Sequence, residues 1–314
     1  MRSGGIKLNF MRQHTVPRCY LQNFTDEDGF VWVLDTKDNI FKIKPKNILV
    51  ENHFYTITLK NGEKSLFVED TLANIENAYT TIFANKISKD QFLTDDERAK
   101  VSIFCAALML RTQPCREGVR KMFKQLKESM EEWKKQFEAM SPDALRTAAA
   151  IPRGDGESIR LSDVENYLEN IEEEHSISIL KNLPKTSQLI FNMKWSIWKN
   201  TDAGFVTCDD PLVLLRPASI KKYGPKAVGS QPGLVYKDVE LTLPLSRDRL
   251  LLAGWILEQD SYLPVENKIA QNINYRTITH SAERIIADSH AKVEAIKARY
   301  TETAYKQAAS VVKV

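Results

Sequence analysis

Leu189-Ile-Phe-Asn-Met-Lys-Trp-Ser-Ile-Trp-Lys199 alternates in character, with Phe191, Met193, Trp195 and Ile197 facing one way and Asn192, Lys194 and Ser196 the other. A period of two marks a strand with one buried face. The alternation returns at Val239, Leu241, Leu243 and Leu245, and residues 249–255 make a buried-strand run. Residues 205–207 follow the turn Thr201-Asp-Ala-Gly204, which predicts a hairpin. Together these segments predict one antiparallel sheet after Leu189. A terminal helix is expected from about Thr279, carrying Ile285, Ile286, Val293, Ile296 and Tyr300.

The N-terminal residues read as a β-rich unit. Residues 30–35 and 40–43 flank a turn at 36–39, and residues 54–59 form a third β-prone run ended by Asn61-Gly62. From Val68 the period changes to that of an amphipathic helix, through Leu72, Ile75, Tyr79, Ile82 and Phe83. Thr94-Asp-Asp-Glu97 is a capping box that opens a buried helix to Leu110, closed by Arg111-Thr-Gln-Pro114. A second helix is expected from Arg116 to about Phe137, with Val119, Met122, Phe123, Leu126, Met130, Trp133 and Phe137 on one stripe. Ser162 and Glu165 suggest another capping box, opening a short acidic helix to about Glu174. The fold class expected is α+β: an N-terminal β-rich unit, a central helical region, and a C-terminal antiparallel sheet with a terminal helix. Residues 141–156, rich in small residues with Pro142, Pro152, Gly154 and Gly156, divide the chain into 1–140 and 157–314 as a linker would. The two parts are equally compatible with packing as a single domain.

Composition narrows the class further. With 43% hydrophobic and 27% charged residues over 314, the chain can build a sizeable core. A net charge of +3 demands no polyanionic partner. The four cysteines, Cys19, Cys105, Cys115 and Cys208, are scattered without a C-x-x-C pair, against a zinc ribbon or a disulfide framework. The apolar runs 103–110 and 250–257 fall short of the roughly 18 residues of a membrane span. The first residues lack the apolar run of a secretory signal, so a cytoplasmic protein with reduced thiols and no membrane association is expected.

The most specific stretch is His14-Thr-Val-Pro-Arg-Cys-Tyr-Leu-Gln-Asn-Phe24. It resembles the opening signature, H-x-V-P-x-x-Y-L-x-x-F, of a large microbial family known only as a domain of unknown function. The helix carrying Glu69 and Glu76 is similar to that family's second block, and Arg111-Thr-Gln-Pro114 to its third. Thr207-Cys-Asp-Asp-Pro211 resembles its T-S-D-N-P block, with Cys208 and Asp210 in place of serine and asparagine. Leu243-Pro-Leu-Ser246 and Asn274 match its final elements. The resemblance implies no activity.

Two readings of these residues stand side by side. In the first, the chain is a metal-dependent hydrolase, a phosphodiesterase or nuclease acting on nucleic acid. Glu69, Glu76, Asp209 and Asp210 would hold Mg²⁺ or Mn²⁺, His14 would act as base, and Arg111 would clamp the phosphate. Glu69 and Glu76 lie two helical turns apart and share a face, with about 10 Å between their backbones. Asp209 and Asp210 follow a strand, and successive extended residues point oppositely, so one of them at most faces a site. In the second, the chain is a non-catalytic interaction module whose motif residues brace its architecture. Convergence in one open pocket favours the first; scattered or sealed side chains favour the second. No phosphate-cradling glycine loop, zinc-protease motif or nucleophile elbow occurs.

Overall fold

The computed structural model describes residues 12–59, 61–149, 159–218, 232–257 and 261–300. The architecture is α+β, as the patterning predicts, with N-terminal strands, central helices, a C-terminal sheet and a last helix.

The N-terminal region holds β1 (Arg12–His14), helix α1 (Arg18–Leu21), β2 (Val31–Asp35), β3 (Ile40–Ile43), β4 (Val50–Asn52), β5 (Ile57–Thr58) and β6 (Lys64–Ser65). Asp35 builds the β2–β3 turn, its carboxylate accepting from the N–H groups of Lys37 and Asn39 at 2.8 and 2.9 Å. β1 pairs with β4, setting His14 opposite Val50. The strand expected at 54–59 narrows to Ile57–Thr58. Phe54 and Tyr55 turn into the core instead, and the Tyr55 N–H is taken by Gln13 Oε1 at 2.6 Å rather than by a neighbouring strand.

Three helices follow: α2 (Phe67–Asn85), α3 (Asp95–Leu110) and α4 (Gln113–Glu138). α2 buries Val68, Leu72, Tyr79 and Ile82, and Tyr79 stacks on Phe104 of α3 with centroids 3.7 Å apart. The capping box forms: Glu97 N–H donates to Thr94 Oγ1 at 3.3 Å and Thr94 N–H to Glu97 Oε2 at 2.9 Å. α4 begins at Gln113, earlier than expected, because Thr112 caps it and Pro114 sits in its first turn, where a missing N–H costs nothing. α5 (Pro142–Ala149) occupies the start of the expected linker; its remainder, from 150, lies outside the described residues.

α6 (Leu161–Glu169) starts one residue before the expected Ser162 cap, with Asp163 accepting from the Arg160 N–H at 2.9 Å. α7 (Ile171–Asn192) then runs from the end of the expected acidic helix into the start of the expected strand. The strand reading of Leu189–Asn192 is corrected by two observations. α7 packs along α3, burying Ile179 and Ile190, and Arg98 of α3 donates to the carbonyls of Phe191 and Met193 at the helix end. That satisfied terminus lets the helix run on before the alternation begins.

The remaining elements are β7 (Lys194–Lys199), β8 (Thr207–Cys208), β9 (Val213–Leu215), β10 (Glu240–Ser246), β11 (Arg249–Gly254), β12 (Ser261–Pro264), α8 (Asn267–His280), β13 (Arg284–Ala287) and α9 (His290–Tyr300). One sheet has the order β12-β7-β11-β10-β9, antiparallel apart from the parallel β12–β7 pair; a second has the order β3-β2-β13-β8. The expected hairpin of β7 with residues 205–207 is therefore not formed. Gly204 turns with φ +64°, and the N–H groups of Phe205 and Val206 go to Arg247 O and Asn274 Oδ1 at 2.8 and 3.0 Å. That carries β8 away to β13. Pro217, Gly224, Pro225 and Gly229 mark a loop before Val239, and residues 219–231 of it lie outside the described residues. Ile285 and Ile286 belong to β13, not to a helix from Thr279, and feed opposite faces: Ile286 enters the main core and Ile285 packs under α9. The spacing of 285, 286, 293 and 296 fits a helical stripe as well, which is why the strand was hidden. The main core runs from Val16 and Tyr20 through Phe104 and Ile190 to Leu243 and Ile286, so both sequence halves supply it.

Candidate functional site

The motif residues form two groups joined by the consecutive residues Arg111 and Thr112. In the first, Arg111 ends α3, and its side chain turns back under β1. Its Nη2 donates to the His14 carbonyl at 2.7 Å, its Nε to Tyr55 Oη at 3.0 Å, and its Nη1 pairs with Glu76 Oε1 at 2.5 Å. The Tyr55 hydroxyl lies 3.2 Å from the His14 carbonyl and 3.1 Å from that of Arg111, either of which can take its proton. Arg111 is 2% exposed. Burial works against its charge, but Tyr55 and Glu76 outweigh it and raise its pKa, so the guanidinium stays protonated.

Glu69 and Glu76 lie on one face of α2, as their spacing predicts. Glu69 Oε2 is buried without a hydrogen-bond partner among the described residues. Burial raises the Glu69 carboxyl, Arg111 opposes this, and Glu76 adds to it. The His14 ring lies 3.2 Å from the Pro45 carbonyl through Nε2. A carbonyl only accepts, so Nε2 carries the hydrogen, and Nδ1 is the acceptor whenever the ring is neutral. Burial lowers the His14 pKa, partly offset by Pro45 and Glu76. Beside it, Arg18, Lys44, Pro45 and Lys46 line a cavity of about 250 Å³. None of those three cations makes an ion pair among the described residues.

The second group surrounds β8. Asp209 accepts from the N–H groups of Ala282 and Glu283 at 3.0 and 2.7 Å, clamping the turn between α8 and β13. Asp210 accepts from Thr112 Oγ1 at 3.1 Å and faces His280 Nε2 at 3.2 Å. Each aspartate is 5% exposed. Burial raises the Asp209 carboxyl, against its two backbone hydrogen bonds. The paired aspartates thus point to different partners, as extended backbone requires. Among the described residues, no group of three His, Cys, Asp or Glu side chains is arranged to hold a metal ion.

The opening signature is itself tied into this framework. Tyr20 Oη donates to the Pro244 carbonyl at 2.7 Å and bonds Thr207 Oγ1 at 2.8 Å, linking α1 to β8 and β10. The model of one family, described as a protein of unknown function (DUF4238), matches residues 12–291. The chain belongs to that family. No curated protein and no solved structure matches it. Across the matched region, Asn274 of this family member holds Gly204 O and the Val206 N–H at 2.9 and 3.0 Å, a clamp on the approach to β8.

Besides His14, Glu69, Glu76, Arg111, Asp209 and Asp210, the two groups draw in Tyr55, Thr112 and His280, which the sequence motifs do not mark as site residues. Tyr55 sits in an ordinary β-prone run. The Thr112 signal was present in Arg111-Thr-Gln-Pro114, where a hydroxyl before Gln-Pro suits a helix cap. His280 ends α8, a helix over Asn267–His280 that the patterning does not predict, since the expected helix starts at about Thr279. Cys208 is fully buried, and burial pushes its thiol well above the ordinary range. Cys19 is pushed up to about 11, chiefly by burial and then by Glu76, so it stays a thiol near neutral pH. Among the described residues no helix is long and apolar enough to cross a membrane.

Proposed function

We propose that this chain is a non-catalytic interaction module, in which the motif residues hold the frame and the outer surface does the binding. Arg111 carries this reading. It is sealed at 2% exposure, and all three guanidinium nitrogens are committed to Glu76, Tyr55 and His14. An arginine that clamps a phosphate keeps its fork open to the ligand. The carboxylate oxygens of Asp209 and Asp210 likewise face internal donors. A cytoplasmic setting accords with four unpaired thiols.

The metal-dependent phosphodiesterase or nuclease stands as a second reading, favoured by one observation: the unpartnered Glu69 oxygen near Arg111 and Glu76. There Glu69 and Glu76 would hold Mg²⁺ or Mn²⁺, a neutral His14 would accept a proton at Nδ1, and the cation-lined cavity would take nucleic acid phosphate. Melting curves with and without Mn²⁺, together with cleavage assays on RNA and DNA, separate the two. The module reading expects an unmoved midpoint, intact nucleic acid, and a large loss of midpoint in Arg111→Ala. Cleavage abolished by Glu69→Gln at unchanged midpoint would establish the hydrolase instead.

A further inference from the structure

α4 carries apolar residues at Val119, Phe123, Leu126, Met130, Trp133 and Phe137, steps of four and three in strict alternation. That is the heptad seam of a helix that packs on another helix. Its first half is covered. Phe123 stacks on Tyr167 of α6 with centroids 3.9 Å apart and planes 7° apart, and Lys127 Nζ pairs with Glu165 at 3.0 Å. At 1.5 Å per residue, α6 spans about 14 Å against about 39 Å for α4, so among the described residues the seam outruns the cover α6 gives it. Beyond Met130, Trp133 is 56% and Phe137 49% exposed, followed by Met140 at 38% and by Leu145 of α5 at 41%. Single exposed apolar side chains are ordinary; a run of them continuing an occupied seam marks an interaction surface.

The flanks of the seam select the occupant. One flank carries Arg120, Lys127 and Lys134 seven apart, each with a glutamate of its own helix at 3.4–4.0 Å and each still able to meet a partner's carboxylate, as Lys127 meets Glu165; the other is Met122, Ser129 and Gln136. A second copy of α4 packed antiparallel would oppose basic flank to basic flank, and a parallel copy would set it against neutral residues. Neither gains charge complementarity. α6 does: its nine residues hold Asp163, Glu165 and Glu169 and no basic residue, and Glu165 meets Lys127. We propose that the C-terminal half of α4 docks an acidic amphipathic helix from a partner protein, seated end to end with α6 on the same seam. The proposal rests on the module reading and names its partner class.

The test uses the full chain and two labelled synthetic peptides, each an amphipathic helix with leucine along its seam. One carries glutamate on its flanks, the other lysine. Fluorescence anisotropy should find the acidic peptide bound on the order of tenfold more tightly than its lysine twin. Trp133→Ser with Phe137→Ser should weaken that binding by about tenfold or more at an unchanged melting midpoint. Lys134→Glu should weaken the acidic peptide and strengthen the lysine twin, a reversal that lost stability cannot mimic. Equal binding of both peptides, binding indifferent to these variants, or no binding overturns the proposal. So does self-association in sedimentation that the Trp133/Phe137 variant abolishes, since a second copy would then be the occupant. Metal-dependent cleavage would remove the module reading without altering a peptide titration, so the two failures are told apart.

Discussion

At the scale of single residues, polar groups in this chain are held where burial is most costly to leave uncompensated. Arg111 is the clearest case. Arg111→Ala strands the Glu76 carboxylate and the His14 carbonyl, and should cost about 3–5 kcal/mol in urea denaturation. Asp209→Asn keeps the shape but turns an amide NH₂ toward one of two N–H donors, so about 1–3 kcal/mol should be lost, with no change in fold by circular dichroism. His175 gives the pH test. It is 2% exposed, and burial together with Arg116 lowers its pKa to about 4. Below its ordinary value of about 6.5 the unfolded chain takes up a proton that the folded chain refuses. Stability is therefore complete above about pH 6.5 and falls as pH drops toward about 4, by up to about 3 kcal/mol. Glu69 and Asp209, with raised carboxyls, lose stability in the opposite direction as pH rises through their titration. The measurement is therefore the urea midpoint of wild type against His175→Leu at pH 7 and 4.5, where only wild type should carry the histidine's loss. The six candidate residues stand out in the sequence because they fall inside the family-like blocks. Their partners were not, because a tyrosine or threonine gains its role only from what the fold brings near it.

At the scale of elements, legibility followed how local the determining interaction is. The capping box at Thr94, the β2–β3 turn at Asp35 and the stripe of α2 are all decided within a few residues, and all appear as read. Thr94→Ala should accordingly cost about 1 kcal/mol by urea unfolding. α7 and β13 were misread because their partners lie far off in sequence. Residues 189–192 stay helical through Arg98, and β13 is a strand only because β2 and β8 lie on either side of it. α7 also contains Pro184 in its interior, which removes a hydrogen bond and crowds the preceding turn. Packing of Ile179 and Ile190 must outweigh that penalty. Pro184→Ala restores the N–H at little change in volume and should raise the melting midpoint, with a gain of up to about 3 kcal/mol in urea. A lowered midpoint would mean that the proline ring itself is required for packing against α3.

At the scale of the whole molecule, the sequence divides at residues 141–156, but the contacts do not respect that division. β13 lies between β2, from the first half, and β8, from the second, with Ile286 opposite Val33 on one side and Thr207 on the other. α3 lies along α7, and Tyr20 reaches across to the Pro244 carbonyl. The main core draws Val16, Tyr20 and Phe104 from one half and Ile190, Leu243 and Ile286 from the other. Each half made alone exposes this surface to water, at roughly 25 cal/mol for every Å² of apolar area uncovered, and leaves β2 or β13 as an unpaired sheet edge. A fragment of residues 1–149 and a fragment of residues 159–314 should therefore each lack a cooperative melt by circular dichroism. Mixed in equal amounts, they should recover a single transition, because every strand regains its partner. The recovered midpoint should rise with concentration, since association now replaces a covalent tether. Arg111→Ala in the first fragment should abolish recovery, which ties the polar network to assembly of the two halves. A cooperative melt by either fragment alone would show that its share of the core suffices, and that the β2–β13 pairing merely docks two finished units.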